Sequence, residues 1–125
     1  MAYSSTKTLY EILGESVISD LVDAFYARVY NHPTLMPLFQ NDIKVVKDKQ
    51  FCFLSQFLGG PQLYSQKYGP PRMRMRHMPH HIDNEAKEAW LVCMKDAINS
   101  LDLEPNLAEA LYSCFPKLAN HMVNS

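Results

Sequence analysis

The sequence predicts an all-α fold. Apolar residues recur at intervals of three and four over most of the chain, capping signals flank those stretches, and no apolar–polar alternation is long enough to propose a strand. The 125 residues are read as one domain spanning 1–125, since a chain of this length buries one core but divides poorly into two. Apolar residues at 47% and charged residues at 20% are the composition of a folded domain, not of a disordered tail.

The elements follow in order. Thr8-Leu-Tyr-Glu11 has the form of a capping box and opens a short helix that Gly14 can close. From Ser16 to Tyr30, the residues Val17, Ile18, Leu21, Val22, Phe25, Tyr26 and Val29 make one broad apolar face, so a second helix is expected with Tyr26 pointing inward. Asn31-His32-Pro33 should end it, because the residue before proline is pushed out of the helical region; Leu35 to Phe39 then reads as a turn packing apolar side chains inward. Asp42 is a good N-cap for a helix whose single stripe is Ile43, Val46, Gln50, Phe53, Leu54 and Phe57, stopped by Gly59-Gly60-Pro61.

Residues 59–83 hold three of the four glycines and lack sustained periodicity, which predicts a long irregular segment with at most short helical turns. Asp83 caps a helix running to about Leu101, with Ala86, Trp90, Cys93, Met94, Ala97 and Leu101 on one face. Pro105 opens the last helix, where Leu107, Leu111, Cys114, Phe115, Leu118 and Met122 form the buried face and Pro116 predicts a kink or break.

A formal net charge of −1 gives no overall field that would draw the protein to nucleic acid or to an anionic membrane, so neither is an expected partner. Met1 to Lys7 is polar with no secretory apolar core behind it, and no later run approaches transmembrane length; a cytoplasmic protein is expected. Cys52, Cys93 and Cys114 are widely spaced among apolar neighbours with no Cys-x-x-Cys pair, which reads as buried free thiols.

Two features ask for chemistry. Tyr26, Gln50 and Trp90 place polar groups on three apolar helix faces, where an unpaired group costs on the order of 1–3 kcal/mol. Each alone reads as a core residue satisfied by a backbone carbonyl; three together suggest a shared polar pocket. The run Arg72 to His81 concentrates three arginines and three of the five histidines. A solvated basic loop, a phosphate or nucleic-acid contact, and a zinc site from His77, His80 and His81 are the readings open to it, the last lacking a fourth ligand at matching spacing.

Phe25-Tyr26, Phe57-Leu-Gly-Gly-Pro61, Tyr64, Arg74-Met-Arg-His77, Ala89-Trp90-Leu91 with Cys93-Met94, and His121-Met-Val-Asn124 occur in the order and at the spacing of the second group of truncated haemoglobins. The chain resembles that group over nearly its whole length, from Leu9-Tyr-Glu-Ile-Leu-Gly14 onward. The resemblance implies a two-over-two helical sandwich around a haem b, with His77 as the proximal iron ligand and the opposite position of a pentacoordinate iron free for a gas. Tyr26 and Trp90 match distal hydrogen-bond donors and Gln50 lines the same pocket. Such donors, preorganised in a low-dielectric site, stabilise a ligand that gains electron density.

Phe39 matches an aromatic residue that packs on the haem, tyrosine in some members, and Phe53 joins it as a haem-contact position. Val46 stands where animal globins place a distal histidine. Lys49, Tyr64 and Arg76 match partners of the haem propionates, Arg76 suiting a carboxylate bidentately. His32, His80, His81 and His121 match no ligand position. Pro70-Pro71 departs from a His-Pro common in the group, and Pro116 is unusual in the final helix.

The function implied is reversible binding of dioxygen, nitric oxide and carbon monoxide with slow oxygen release. The alternative is a haem enzyme for nitric oxide dioxygenation or peroxide chemistry, supplied with electrons by a reductase. A haem-free helical interaction module is the third reading. Monomer and homodimer are both compatible with the resemblance.

Overall fold

The computed structural model describes residues 7–36, 42–70 and 83–123. Its helices, in chain order, are α1 (Leu9–Leu13), α2 (Glu15–Val29), α3 (Ile43–Phe57), α4 (Leu63–Tyr68), α5 (Asn84–Asn99), α6 (Pro105–Tyr112) and α7 (Phe115–Met122). Among the described residues there is no strand, and no helix is long and apolar enough to cross a membrane.

Local chemistry sets the boundaries. The Thr8 hydroxyl accepts from the Glu11 N–H at 3.2 Å while the Glu11 carboxylate accepts from the Thr8 N–H at 2.9 Å, so the capping box is complete. Gly14, at φ 85°, turns the chain from α1 into α2. Asp42 accepts from the Lys44 N–H and Asp83 from the Ala86 N–H, each satisfying a first-turn donor that the helix leaves unpaired. Pro116 does break the last apolar pattern: it lies in the first turn of α7, where a missing N–H costs nothing, and α6 ends before it at Tyr112.

Helix α2 packs against both α3 and α5, α4 lies on α3, and α5 carries α6 and α7 on its other side. The core is drawn from all of these, with Ile18, Leu21, Phe25, Leu54, Met94, Ile98, Leu111 and Phe115 fully enclosed. The glycine pair after α3 lets α1 close down on it. A Cβ on Gly60 would come within 2.5 Å of the Tyr10 ring and one on Gly59, at φ 93°, within 2.6 Å of the Thr8 side chain. That close approach carries the bond from the Tyr10 N–H to the Leu58 carbonyl.

Four packing expectations need correction, the first being the face of the last helix: Leu111 and Phe115 are enclosed, but Leu107, Cys114, Leu118 and Met122 are only half-buried. Leu35 is buried, but Met36 is 50% exposed, and the rest of the turn from Leu35 to Phe39 lies outside the described residues. The stripe on α3 is not buried along its length: Phe53 and Leu54 are enclosed, Val46 and Gln50 are half-buried, and Ile43 and Phe57 at its ends are 42% and 38% exposed. Every buried residue of α3 falls between Cys52 and Ser55. Leu101 is half-buried, since α5 ends at Asn99 and that residue stands in the following turn.

Candidate functional site

The apolar face of α2 turns Phe25 and Tyr26 together into the core, and the Phe25 ring is the hinge of the site. Tyr26 meets it edge-on at 5.0 Å between centroids, and Trp90, reaching in from α5, meets it edge-on at 5.1 Å. Two of the three expected polar side chains are therefore brought to one aromatic cluster by a residue between them. Tyr26 is 3% exposed, and burial, with the neighbouring Tyr30 second, pushes its hydroxyl far above the usual phenol range. It stays protonated and able to donate.

Gln50 stands half-buried on the α3 stripe, with Val46 one turn before it and Phe53 three residues after it on the same face. Phe53 stacks on Phe57 at 5.4 Å, and Phe57 meets Phe115 at 6.0 Å, which in turn lies 5.7 Å from Trp90. The aromatic cluster thus runs without a break from Tyr26 to the helix that carries Gln50. Phe53 also meets the buried Tyr64 edge-on at 6.1 Å, which ties α4 into the same surface.

Lys49 is exposed, and its ammonium sits 5.4 Å above the centre of the Tyr68 ring, a cation–π contact. Tyr68 lies 5.2 Å from Tyr64, so Lys49 and Tyr64 meet at a common neighbour. Phe39, Arg76 and His77 lie outside the described residues. Among the described residues no group of histidine, cysteine, aspartate and glutamate could hold a metal ion.

The sequence places Phe25 and Phe115 on apolar faces without showing that they join the polar residues, and it does not by itself show the polar cluster at the end of α4. There, Asp48 accepts hydrogen bonds from the Tyr68 hydroxyl at 2.5 Å and from Lys67 at 2.9 Å, with the Cys52 thiol 3.9 Å away on the same oxygen. The hydrogen bonds from Tyr68 and then Lys67 hold the Asp48 carboxyl below its usual range. The available signal was the spacing Tyr64 to Tyr68, one helical turn, and Asp48 to Cys52, another. The three cysteines are free; Cys52 and Cys93 are buried as expected, Cys114 is only half-buried, and desolvation raises the pKa of each thiol.

The bacterial-like globin family matches residues 8–124. The chain is 48% identical over 115 residues to the group 2 truncated hemoglobin YjbI of Bacillus subtilis (strain 168), covering 92% of this chain and 87% of that one. Among solved structures, the truncated oxygen-avid haemoglobin of Bacillus subtilis superimposes with a TM-score of 0.90 at 47% identity, over 94% of this chain and 100% of that chain. The group II truncated hemoglobin of Bacillus anthracis does so with a TM-score of 0.92 at 39% identity, over 98% and 95%. The helices therefore have the two-over-two globin arrangement, and the chain belongs to the bacterial-like globin family as a truncated haemoglobin.

Proposed function

We propose that the chain binds one haem b in the cytoplasm and uses it to hold dioxygen, nitric oxide and carbon monoxide reversibly, releasing oxygen slowly. The observation that carries this reading is the α3 stripe: an apolar helix face left half-open over Ile43, Val46 and Gln50, joined through aromatic contacts to the cluster that holds Tyr26 and Trp90. A flat apolar cofactor suits such a face, since burying it removes apolar surface from water at roughly 25 cal/mol per Å².

The haem would supply an iron centre that takes a diatomic ligand; the chain supplies the rest. His77 holds the iron, while Phe39, Val46 and Phe53 form apolar walls. Lys49, Tyr64 and Arg76 hold the propionates, and Lys49 is already tethered nearby through the Tyr68 ring. Tyr26, Gln50 and Trp90 donate hydrogen bonds to the gas. If each net bond contributes about 1 kcal/mol, two of them slow release roughly 30-fold against an apolar pocket.

Haem titration with absorption spectroscopy tests the assignment: wild type takes up one haem per chain, and His77→Ala loses retention and shifts the spectrum. Unchanged affinity and spectrum in His77→Ala would reject the ligand. The enzymatic reading, nitric oxide dioxygenation or peroxide chemistry with a reductase as partner, uses the same residues. Its peroxide branch is favoured by an oxidisable tyrosine held on a carboxylate beside Tyr64.

A further inference from the structure

The function proposed above leaves the cluster around Asp48 without a task. It joins α3 to α4 by the Lys67 ion pair and the Tyr68 hydrogen bond, with the Cys52 thiol of α3 itself on the same carboxylate oxygen, where a surface ion pair alone would have served. We propose that Tyr68, with Asp48 as its proton acceptor, is a one-electron port through which a surface donor reduces the haem after it has been oxidised by hydrogen peroxide; this rests on the haem-binding reading.

The chemistry of a phenol selects this residue. A neutral tyrosine gives up an electron readily only if its proton leaves in the same event, because the oxidised phenol is a very strong acid. Geometry decides whether a base is within reach. At Tyr68 the hydroxyl already donates to Asp48, and Tyr68 and Lys67 keep that carboxyl ionised, so an acceptor is always present. The Asp48 side chain is 39% exposed, which lets the proton pass to water. The Cys52 thiol approaches the same carboxylate from the buried side and Lys67 from the exposed side, while Lys49 covers one face of the Tyr68 ring. Tyr26 is the contrasting case: burial disfavours every charged form of its hydroxyl.

The route is equally direct. Tyr68 is half-buried, so its ring has an outer edge. Its inner neighbour is Tyr64 at 5.2 Å, followed by Phe53 at 6.1 Å, and both are residues assigned to the haem contact. In each cycle one electron leaves the Tyr68 ring through Tyr64, the Oη–H bond breaks, and the proton goes to Asp48 and on to solvent. The neutral phenoxyl that remains is restored by a hydrogen atom from a small phenol or ascorbate-type donor. Two cycles deliver the two electrons and two protons that convert one hydrogen peroxide into two waters, and two donor molecules are each oxidised to a radical.

The test uses the haem-loaded chain, with its absorption spectrum and carbon monoxide complex recorded first. Samples mixed with hydrogen peroxide are frozen and read by electron paramagnetic resonance, and oxidation of guaiacol is followed in parallel. Wild type should give a tyrosyl signal that is absent in Tyr68→Phe. Guaiacol oxidation should fall at least roughly tenfold in Tyr68→Phe and in Asp48→Asn, which keeps the side-chain shape but removes the base. Asp48→Glu should recover part of it, and the carbon monoxide spectra should stay those of wild type. The same tyrosyl signal and guaiacol rate in Tyr68→Phe would overturn the port while leaving the haem reading intact. A chain that takes up no haem overturns the reading beneath it, and is recognised in the spectrum before peroxide is added.

Discussion

Two tyrosines on helices that both pack against α3 show how differently one side chain can be held. Tyr26 stands in the dry cluster between α2 and α5, where aromatic edges surround it. Tyr68 stands at the wet junction of α3 and α4, between a carboxylate, a lysine over its ring and a second tyrosine. Both hydroxyls titrate above the usual range, Tyr26 chiefly through burial and Tyr68 chiefly because its proton is bound to Asp48. Both hold their protons at rest, and Tyr68 has beside it a carboxylate that can take the proton once the ring is oxidised. The same phenol is therefore held chiefly by burial in one region and chiefly by a carboxylate in the other.

The comparison breaks first at Phe25. It is fully buried and is the ring that Tyr26 and Trp90 share, so Phe25→Ala should cost about 3–5 kcal/mol in denaturant unfolding. A loss below about 1 kcal/mol, the size of a surface contact, would mean that the dry cluster is not a packed unit. Next comes Tyr26→Phe, which keeps the ring and removes the donor. With one net hydrogen bond of about 1 kcal/mol lost, dioxygen should leave roughly fivefold faster in stopped-flow measurements, and carbon monoxide should respond less. Equal release from wild type and variant would make Tyr26 a structural residue only.

On the wet side the expected effects are smaller and depend on pH. Asp48 has a lowered folded pKa, so its contribution is present above the unfolded carboxylate value and is lost as pH falls through the folded one. Because the side chain is more than a third exposed, that contribution should stay within about 1 kcal/mol. Asp48→Asn should therefore unfold slightly earlier than wild type at neutral pH and match it in acid. Tyr68 acts in the opposite direction: its raised pKa adds stability below the unfolded phenol value, lost as pH climbs through the folded value. A difference between Asp48→Asn and wild type that persisted unchanged into acid would show that shape, not charge, matters at this junction.

The smallest effect is expected at Ser55. Its hydroxyl is fully buried on α3 and has no hydrogen-bond partner among the described residues. Removing an unsatisfied polar group has little to lose, so Ser55→Ala should be neutral or stabilising by up to about 1 kcal/mol in thermal unfolding. A clear loss would reveal a partner for that hydroxyl.

Much of this architecture was legible in the amino acids because its signals are local. Thr8, Asp42 and Asp83 announce helix starts through bonds spanning two or three residues, and Pro116 announces a break through its own missing N–H. Tyr26 and Trp90 were legible as polar side chains on apolar helix faces, although the ring that joins them was not. Apolar periodicity marks Phe25 as core without saying what it touches. The α3 stripe misled for a related reason: period shows which residues share a face, but not how far along the helix a neighbour covers it. Ile43 and Phe57 obey the pattern and remain exposed.

By itself the sequence determined which segments coil and, through their caps, where several of them start. Those follow from backbone sterics and from contacts within a turn or two. Tertiary structure alone decided that Phe25 would stand between Tyr26 and Trp90, and that Tyr68 would find Asp48 twenty residues earlier in the chain. Such contacts depend on the angle and register at which helices dock. Those are set by the fit of many side chains at once and by no single local rule.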